Sequence, residues 1–173
     1  MNQLTNIQIR PEEQRDHGAI YDVTKRAFAP MPYAGGNEQD LINILRNKGA
    51  LSLSLVAEQH GKVVGHVALS PVAHESGVEG WFGLGPISVE PALQRMGVGG
   101  MLIQEAKSWM NARKARGCVL VGNTKYYSRH GFIPSAANAP EKEPAEYFMV
   151  LPLDNTIPAG RFSFHPAFYL EEL

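Results

Sequence analysis

Residues 88–103, SVEPALQRMGVGGMLI, decide how this chain is read. They join the end of an apolar run to the start of an amphipathic one, and glycine stands at 97, 99 and 100. Glycine at a helix start costs conformational entropy and adds nothing to a core. Its use there implies that something comes very close to the backbone. The first turn of a helix carries N–H groups without intrahelical partners, and the helix dipole favours negative charge at that end. Two readings follow. One is a cradle for a diphosphate, with Arg95 adding a charge-assisted contact. The other is a connection tuned only for close helix–sheet packing.

Working outward, residues 81–89 predict a continuously apolar strand entering this run. Residues 98–114 predict the strongest helix of the chain. Val98, Met101, Leu102, Ala106, Trp109 and Met110 recur on one face, opposite Gln104, Lys107, Asn111 and Lys114. Arg113, Lys114 and Arg116 complement its negative end, and Gly117 stops it. Upstream, residues 51–57 alternate apolar and polar at period two. EQHG at 58–61 reads as a turn, and residues 62–72 as the returning strand of a hairpin. Residues 7–10 predict a strand, with a helix starting at Pro11 and running through Phe28. Residues 29–36, APMPYAGG, read as a loop before a helix over 38–47 whose apolar side is Leu41, Ile42, Ile44 and Leu45. Downstream come a strand at 118–121, a brief helix over 126–131, and strands at 147–153 and 161–165. This succession predicts one α/β domain, residues 1–173, around a mixed sheet.

Composition narrows the function classes. With 173 residues and 44% apolar content the chain can bury an ordinary core. A formal charge of −1 gives no global field for nucleic acid or an anionic membrane, and no basic patch is interleaved with aromatics. The lone Cys118 excludes an internal disulfide and fits a reducing compartment. The first residues, MNQLTNIQIRPEEQRD, lack the apolar segment of a secretory signal, and no apolar run approaches the ~20 residues of a membrane span. A soluble cytoplasmic protein is expected. The histidines at 17, 60, 66, 74, 130 and 165 lack tight metal-ligand spacing, so no metal site is expected.

The diphosphate reading can be tested against known loops. A dinucleotide fingerprint needs a third glycine where Leu102 stands and an acidic residue on the next strand, where CVLVG has none. A nucleoside-triphosphate loop needs Gly-Lys followed by Ser or Thr, but Gly61-Lys62 is followed by Val63. What remains is Gln94-x-x-Gly97-x-Gly99 between an apolar strand and a helix. This resembles the Q/R-x-x-G-x-G/A signature of the GNAT N-acetyltransferases. VAEQHGKVVGHVALSPV at 56–72 resembles that family's central hairpin, residues 84–103 its cofactor strand, loop and helix, and YYSRHGF at 126–132 its second CoA segment. The likeness is strongest from Val56 to Phe132, thins before Leu51 and is faint after Pro134.

The resemblance implies a mixed, mostly antiparallel sheet of about six to seven strands flanked by helices, with the cofactor core at about 81–132. It implies acetyl transfer from acetyl-CoA to an amine by direct attack in a ternary complex; a non-catalytic acyl-CoA-binding module is the alternative. Acetyl-CoA would be held by the backbone of Ile87, Ser88 and Val89 and by Gln94, Arg95, Gly97, Val98, Gly99 and Gly100, with Asn123 and Tyr126 from the second segment. Val89 N–H would polarise the thioester, and Tyr127 would protonate the departing thiolate. No base is assigned: the strand at 81–89 has no carboxylate, and Glu79 and His74 read as solvated loop residues. Cys118, in an apolar strand, reads as structural rather than as a nucleophile. The acceptor, a small-molecule amine in preference to a protein, would meet residues 30–36, the hairpin side and the tail from Glu141, with Tyr33, His74 and Phe168 as candidates. The enzyme would be a monomer or homodimer.

Overall fold

In the computed structural model, which describes residues 5–169, the chain runs β1 (Ile7–Pro11), α1 (His17–Phe28), α2 (Glu38–Asn47), β2 (Leu53–Gln59), β3 (Lys62–Pro71), β4 (Ala73–His74), β5 (Trp81–Val89), α3 (Val98–Ala112), β6 (Gly117–Val121), α4 (Thr124–Ser128), β7 (Ile133–Pro134), β8 (Phe148–Pro152) and β9 (Phe162–Ser163), with short 3₁₀ turns between. Seven strands follow the order β1-β2-β3-β5-β6-β8-β7, while β4 and β9 pair separately. The pairs β1–β2, β2–β3, β6–β8 and β7–β8 are antiparallel and β5–β6 is parallel. The expected mixed, mostly antiparallel sheet is therefore present, with helices alongside. By contacts the chain divides into two units. One takes the chain up to Leu69 with Gly85–Lys107; the other takes Ser70–Leu84 and the chain from Ser108 onward.

In the first unit the period-two pattern becomes the β2–β3 hairpin. It is closed between Gln59 and Lys62 by His60-Gly61, both with positive φ. Ile20 of α1, Ile42 of α2 and Val56 of β2 share a buried cluster, so the apolar stripes of both helices are spent on the sheet. Pro11 does not start a helix as expected: it continues β1 opposite Leu55. The helix waits until His17 because Asp16 is engaged first. Its carboxylate accepts from Arg10 Nη1 at 2.7 Å and from the Glu13 N–H at 2.7 Å, ending the strand and turning the chain. Helix α2 has the predicted bounds.

In the second unit β6 runs between β5 and β8, with Trp81 opposite Gly117 and Gly117 opposite Pro152. Trp81, Val119, Phe148, Val150, Phe162 and Phe164 form its aromatic-rich core. Gly117 is where backbone and indole meet: a Cβ there would run into the Trp81 ring and lie 2.5 Å from the Leu151 carbonyl oxygen. Overpacking of this kind costs about 1–3 kcal/mol. Gly117→Ala is therefore expected to lower the unfolding free energy by that amount, seen as a lower urea midpoint with an unaltered slope. An unchanged midpoint would remove this packing argument. The two-residue strands β4 and β7 are too short to carry a period and escaped the sequence reading. The brief helix lies at Thr124–Ser128, earlier than expected. No helix among the described residues is long and apolar enough to cross a membrane.

Candidate active site

Within the first unit, residues 85–89 carry β5 beyond Gly83, the last residue in register with β6, and lie beside β3, to which Glu90 N–H is tied through the Val64 carbonyl at 2.8 Å. A stretch of strand without a neighbour on one side offers its backbone groups to any extended chain that lies along it. Ser88 turns its side chain inward, at 3% exposure. Thr24 Oγ1 lies 3.3 Å from Ser88 Oγ and 2.7 Å from the Ile20 carbonyl, to which it donates. Thr24 has one hydroxyl proton and it points at Ile20, so Ser88 donates to Thr24. Only the backbone of Ser88 is then left for a ligand. Ile87 and Val89 are half-buried.

After a 3₁₀ turn at Pro91–Leu93 the chain enters the glycine run. Leu93 and Val98 are buried and pin its two ends, while residues 95–97 lie exposed between them. Arg95 at φ 66° and Gly97 at φ 97° both take left-handed conformations. Gly97 then accepts the first helical bond from Met101 N–H at 3.1 Å. Among the described residues no backbone hydrogen bond engages the N–H groups of Arg95, Met96, Gly97, Val98, Gly99 or Gly100. Six amides at the start of a fifteen-residue helix are thus left for an anion. Gln94 is engaged elsewhere: its Nε2 donates to the Val89 carbonyl at 3.1 Å. The residues placed around this strand end by long-range contacts, Thr24, Arg26, Val64 and Glu90, were not singled out from sequence. Nothing local in the sequence marks them.

Within the second unit, β6 ends at Val121 and Asn123 caps α4. Its Oδ1 accepts from Tyr126 N–H at 3.0 Å and its backbone carbonyl from Tyr127 N–H at 3.0 Å. The Asn123 side-chain amide donors are what it retains for a ligand. Tyr127 is half-buried, its ring edge-to-face with Tyr126 at 4.9 Å and with Phe132 at 5.9 Å. A Cβ at Gly122 would come within 2.5 Å of Tyr127 Cε2, so this glycine admits the ring. Tyr126 also meets His130 edge-on at 5.0 Å. Burial lifts the Tyr126 phenol above its ordinary range against the nearby charge of Arg129.

His74 is not the solvated loop residue expected: it is buried in β4, opposite Phe162. Its Nδ1 accepts from the Ser76 N–H at 3.1 Å, so the neutral ring carries its proton on Nε2. In that tautomer no lone pair is left over to deprotonate an amine. Glu79 is exposed. Cys118 is fully buried, and burial pushes its thiol up, away from the reactive thiolate. Among the described residues no three His, Cys, Asp or Glu side chains gather to hold a metal ion.

Comparison with known proteins bears on these two segments. The family model described as acetyltransferase (GNAT) domain matches residues 51–134. The uncharacterized N-acetyltransferase YjhQ of Escherichia coli strain K12 is 32% identical over 143 residues, covering 78% of this chain and 76% of its own. A GNAT family acetyltransferase from Brucella melitensis, solved in complex with acetyl-CoA, is 41% identical. The alignment covers 94% of this chain and 98% of that one, with a TM-score of 0.84. The GNAT family N-acetyltransferase YhbS of Escherichia coli, solved in complex with CoA, is 28% identical. Coverage is 96% and 94%, with a TM-score of 0.85.

Proposed function

The chain belongs to the GNAT family of acetyltransferases and is an acyltransferase, and from that premise we propose that it moves the acetyl group of acetyl-CoA to a small-molecule amine by direct attack. The observation that carries the reading is the run of unpartnered N–H groups at residues 95–100, opened by the left-handed Gly97. Oriented amides at a helix start bind a diphosphate without moving charge. The relatives solved with acetyl-CoA and CoA support that ligand.

In the proposed reaction the pantetheine lies along the edge of β5 and Val89 N–H donates to the thioester oxygen, where negative charge develops. The amine nitrogen bonds to the carbonyl carbon and the carbon–sulfur bond breaks. Tyr127 gives its phenolic proton to the departing thiolate, since a phenol of pKa about 10 is protonated at neutral pH. The acceptor ammonium first loses a proton to water, since His74, with Nδ1 held by Ser76, does not take it. The second proton, which the nitrogen sheds as the amide forms, returns the Tyr127 phenolate to the phenol through water. The buried thiol of Cys118 supports attack without an acetyl-cysteine intermediate, and a lone free thiol fits a reducing cytoplasm. A small acceptor is supported by the loop at 29–37, which carries no charged residue. It presents Tyr33 at 81% exposure and is closed on itself by the Glu38 carboxylate, which accepts from Gly35 N–H at 2.8 Å and Gly36 N–H at 3.1 Å.

Calorimetry with acetyl-CoA, followed by thiol release over small amines and peptides, tests the reading. Binding with turnover of small amines is expected. Lack of acetyl-CoA binding would sink the proposal, and turnover of peptides alone would sink its acceptor. Tyr127→Phe is expected to bind acetyl-CoA like the unaltered enzyme while turnover falls about 100-fold, the low end of what a positioned acid contributes. Equal turnover across pH 6 to 9 would remove Tyr127 as the acid.

A further inference from the structure

Gln94 opens the glycine signature, yet its side chain turns back to the strand that precedes the loop. Nε2 donates to the Val89 carbonyl at 3.1 Å. That carbonyl belongs to the Val89–Glu90 peptide, whose N–H is held at its other end by the Val64 carbonyl at 2.8 Å. Glu90 is tied in turn by Arg26, Nε to Oε1 at 3.0 Å and Nη2 to Oε2 at 2.7 Å. One residue earlier, Ser88 is anchored to Thr24. The peptide after Val89 is therefore gripped on both its polar groups, and the residue before Val89 is gripped through its hydroxyl. Two fixed flanks leave the backbone of Val89 little freedom, so the direction of its own N–H is set.

We propose that Gln94 is a positioning residue for the reaction: it aims the Val89 N–H through the Val89 carbonyl, and its side chain does not serve as a diphosphate ligand. The inference rests on the reading of Val89 as the thioester donor. It also gives a physical meaning to the signature's first position, which admits glutamine or arginine. Both end a long side chain in an N–H donor able to reach a carbonyl five residues back; leucine, one atom shorter, fills most of the same space without the donor. The arrangement couples two parts of the site, because the side chain that orients the strand end also fixes the first residue of the loop.

The test compares Gln94→Leu and Gln94→Arg with the unaltered enzyme, using acetyl-CoA and the best amine of the panel. Gln94→Leu is expected to lower kcat about tenfold, the loss of one orienting hydrogen bond, with KM for acetyl-CoA within threefold. Gln94→Arg is expected to recover most of kcat. A raised KM with unchanged kcat would overturn the proposal, since it would make the side chain a ligand of the cofactor. Amide hydrogen exchange provides a readout that needs no turnover. Exchange at Glu90 N–H is expected to quicken at least tenfold in Gln94→Leu and to return in Gln94→Arg. Unchanged exchange in Gln94→Leu would also overturn it. Loss of acetyl-CoA binding by the unaltered protein would instead sink the reading of the site, while the exchange experiment would still decide whether Gln94 holds the strand end.

Discussion

Gly97→Val is expected to weaken acetyl-CoA binding about 1,000-fold by calorimetry, while the thermal midpoint moves by only a few degrees. Gly97 sits at φ 97°, where a β-branched residue is most strained. A valine there has two outcomes. It can hold the left-handed backbone at a cost of about 1–2 kcal/mol, with its methyls standing among the amides meant for the diphosphate. Or it can turn to negative φ, which re-aims the N–H groups of residues 97 and 98 and breaks the Met101 N–H bond to the Gly97 carbonyl. Either way two or more charge-assisted hydrogen bonds are lost, at about 1.5–3 kcal/mol each. Near 4 kcal/mol in total, that corresponds to about three factors of ten in affinity. The fold is spared because residues 95–97 are exposed and the buried anchors Leu93 and Val98 are untouched. Affinity within threefold of the unaltered protein would mean that the diphosphate lies elsewhere.

That loop was readable from sequence because its information is local. Three glycines, a strand before and an amphipathic helix after are written side by side, and helix α3 begins at Val98 as expected. The hairpin and α2 were readable for the same reason: their periods run long enough to be recognised. The side chains that steady the site were not. Gln94 turning back to Val89, Thr24 meeting Ser88 and Arg26 meeting Glu90 are contacts made by folding, the latter two across 64 positions. His74 failed as a loop residue because its burial comes from pairing with Phe162, far along the chain. Pro11 failed as a helix start because its partner Leu55 also lies far along the chain, and a proline at a strand end looks in sequence like one at a helix start. Period and spacing report what neighbours do; they do not report what a strand finds opposite itself.

The polar chain beneath α1 and α2 gives the second large expectation: stability falls steadily on acidification from about pH 6.5, and His66→Gln flattens that slope. Glu12 is the fixed point. Its carboxylate accepts from Arg46 Nε at 2.9 Å and Nη2 at 2.8 Å, and His17 Nε2 lies 2.8 Å away. Desolvation pushes the carboxyl up, but the hydrogen bonds from Arg46 and Ser54 outweigh it and hold Glu12 below the usual range. A carboxylate only accepts, so Ser54 gives its hydroxyl proton to Glu12. Ser54 must then accept from His66 Nε2–H at 2.7 Å, which leaves Nδ1 as the lone-pair nitrogen. That atom is buried and has no hydrogen-bond partner among the described residues. Protonating it would bury a charge with no acceptor; burial first, and then the charge of Arg46, pull the imidazole down to about 3 against the attraction of Glu12. In the unfolded chain the same ring titrates near 6.5. The folded value is the lower one, so between about pH 6.5 and 3 the unfolded state holds the extra proton. Stability is then complete above pH 6.5 and falls by about 1.4 kcal/mol per pH unit below it. Across the window the loss is about 5 kcal/mol, a large share of a small domain's total. Asp16, held low by its hydrogen bonds to Arg10, adds loss of the same sign only near and below pH 4, as does Glu12. Urea unfolding at pH 7.5, 6.5, 5.5 and 4.5 therefore isolates His66. Glutamine can still donate to Ser54 but cannot take a proton, so the variant should lose about 1.4 kcal/mol less per pH unit than the unaltered protein. Parallel slopes in the two proteins would mean that His66 is protonated in the folded state, and that the order of donors from His66 to Glu12 is wrong.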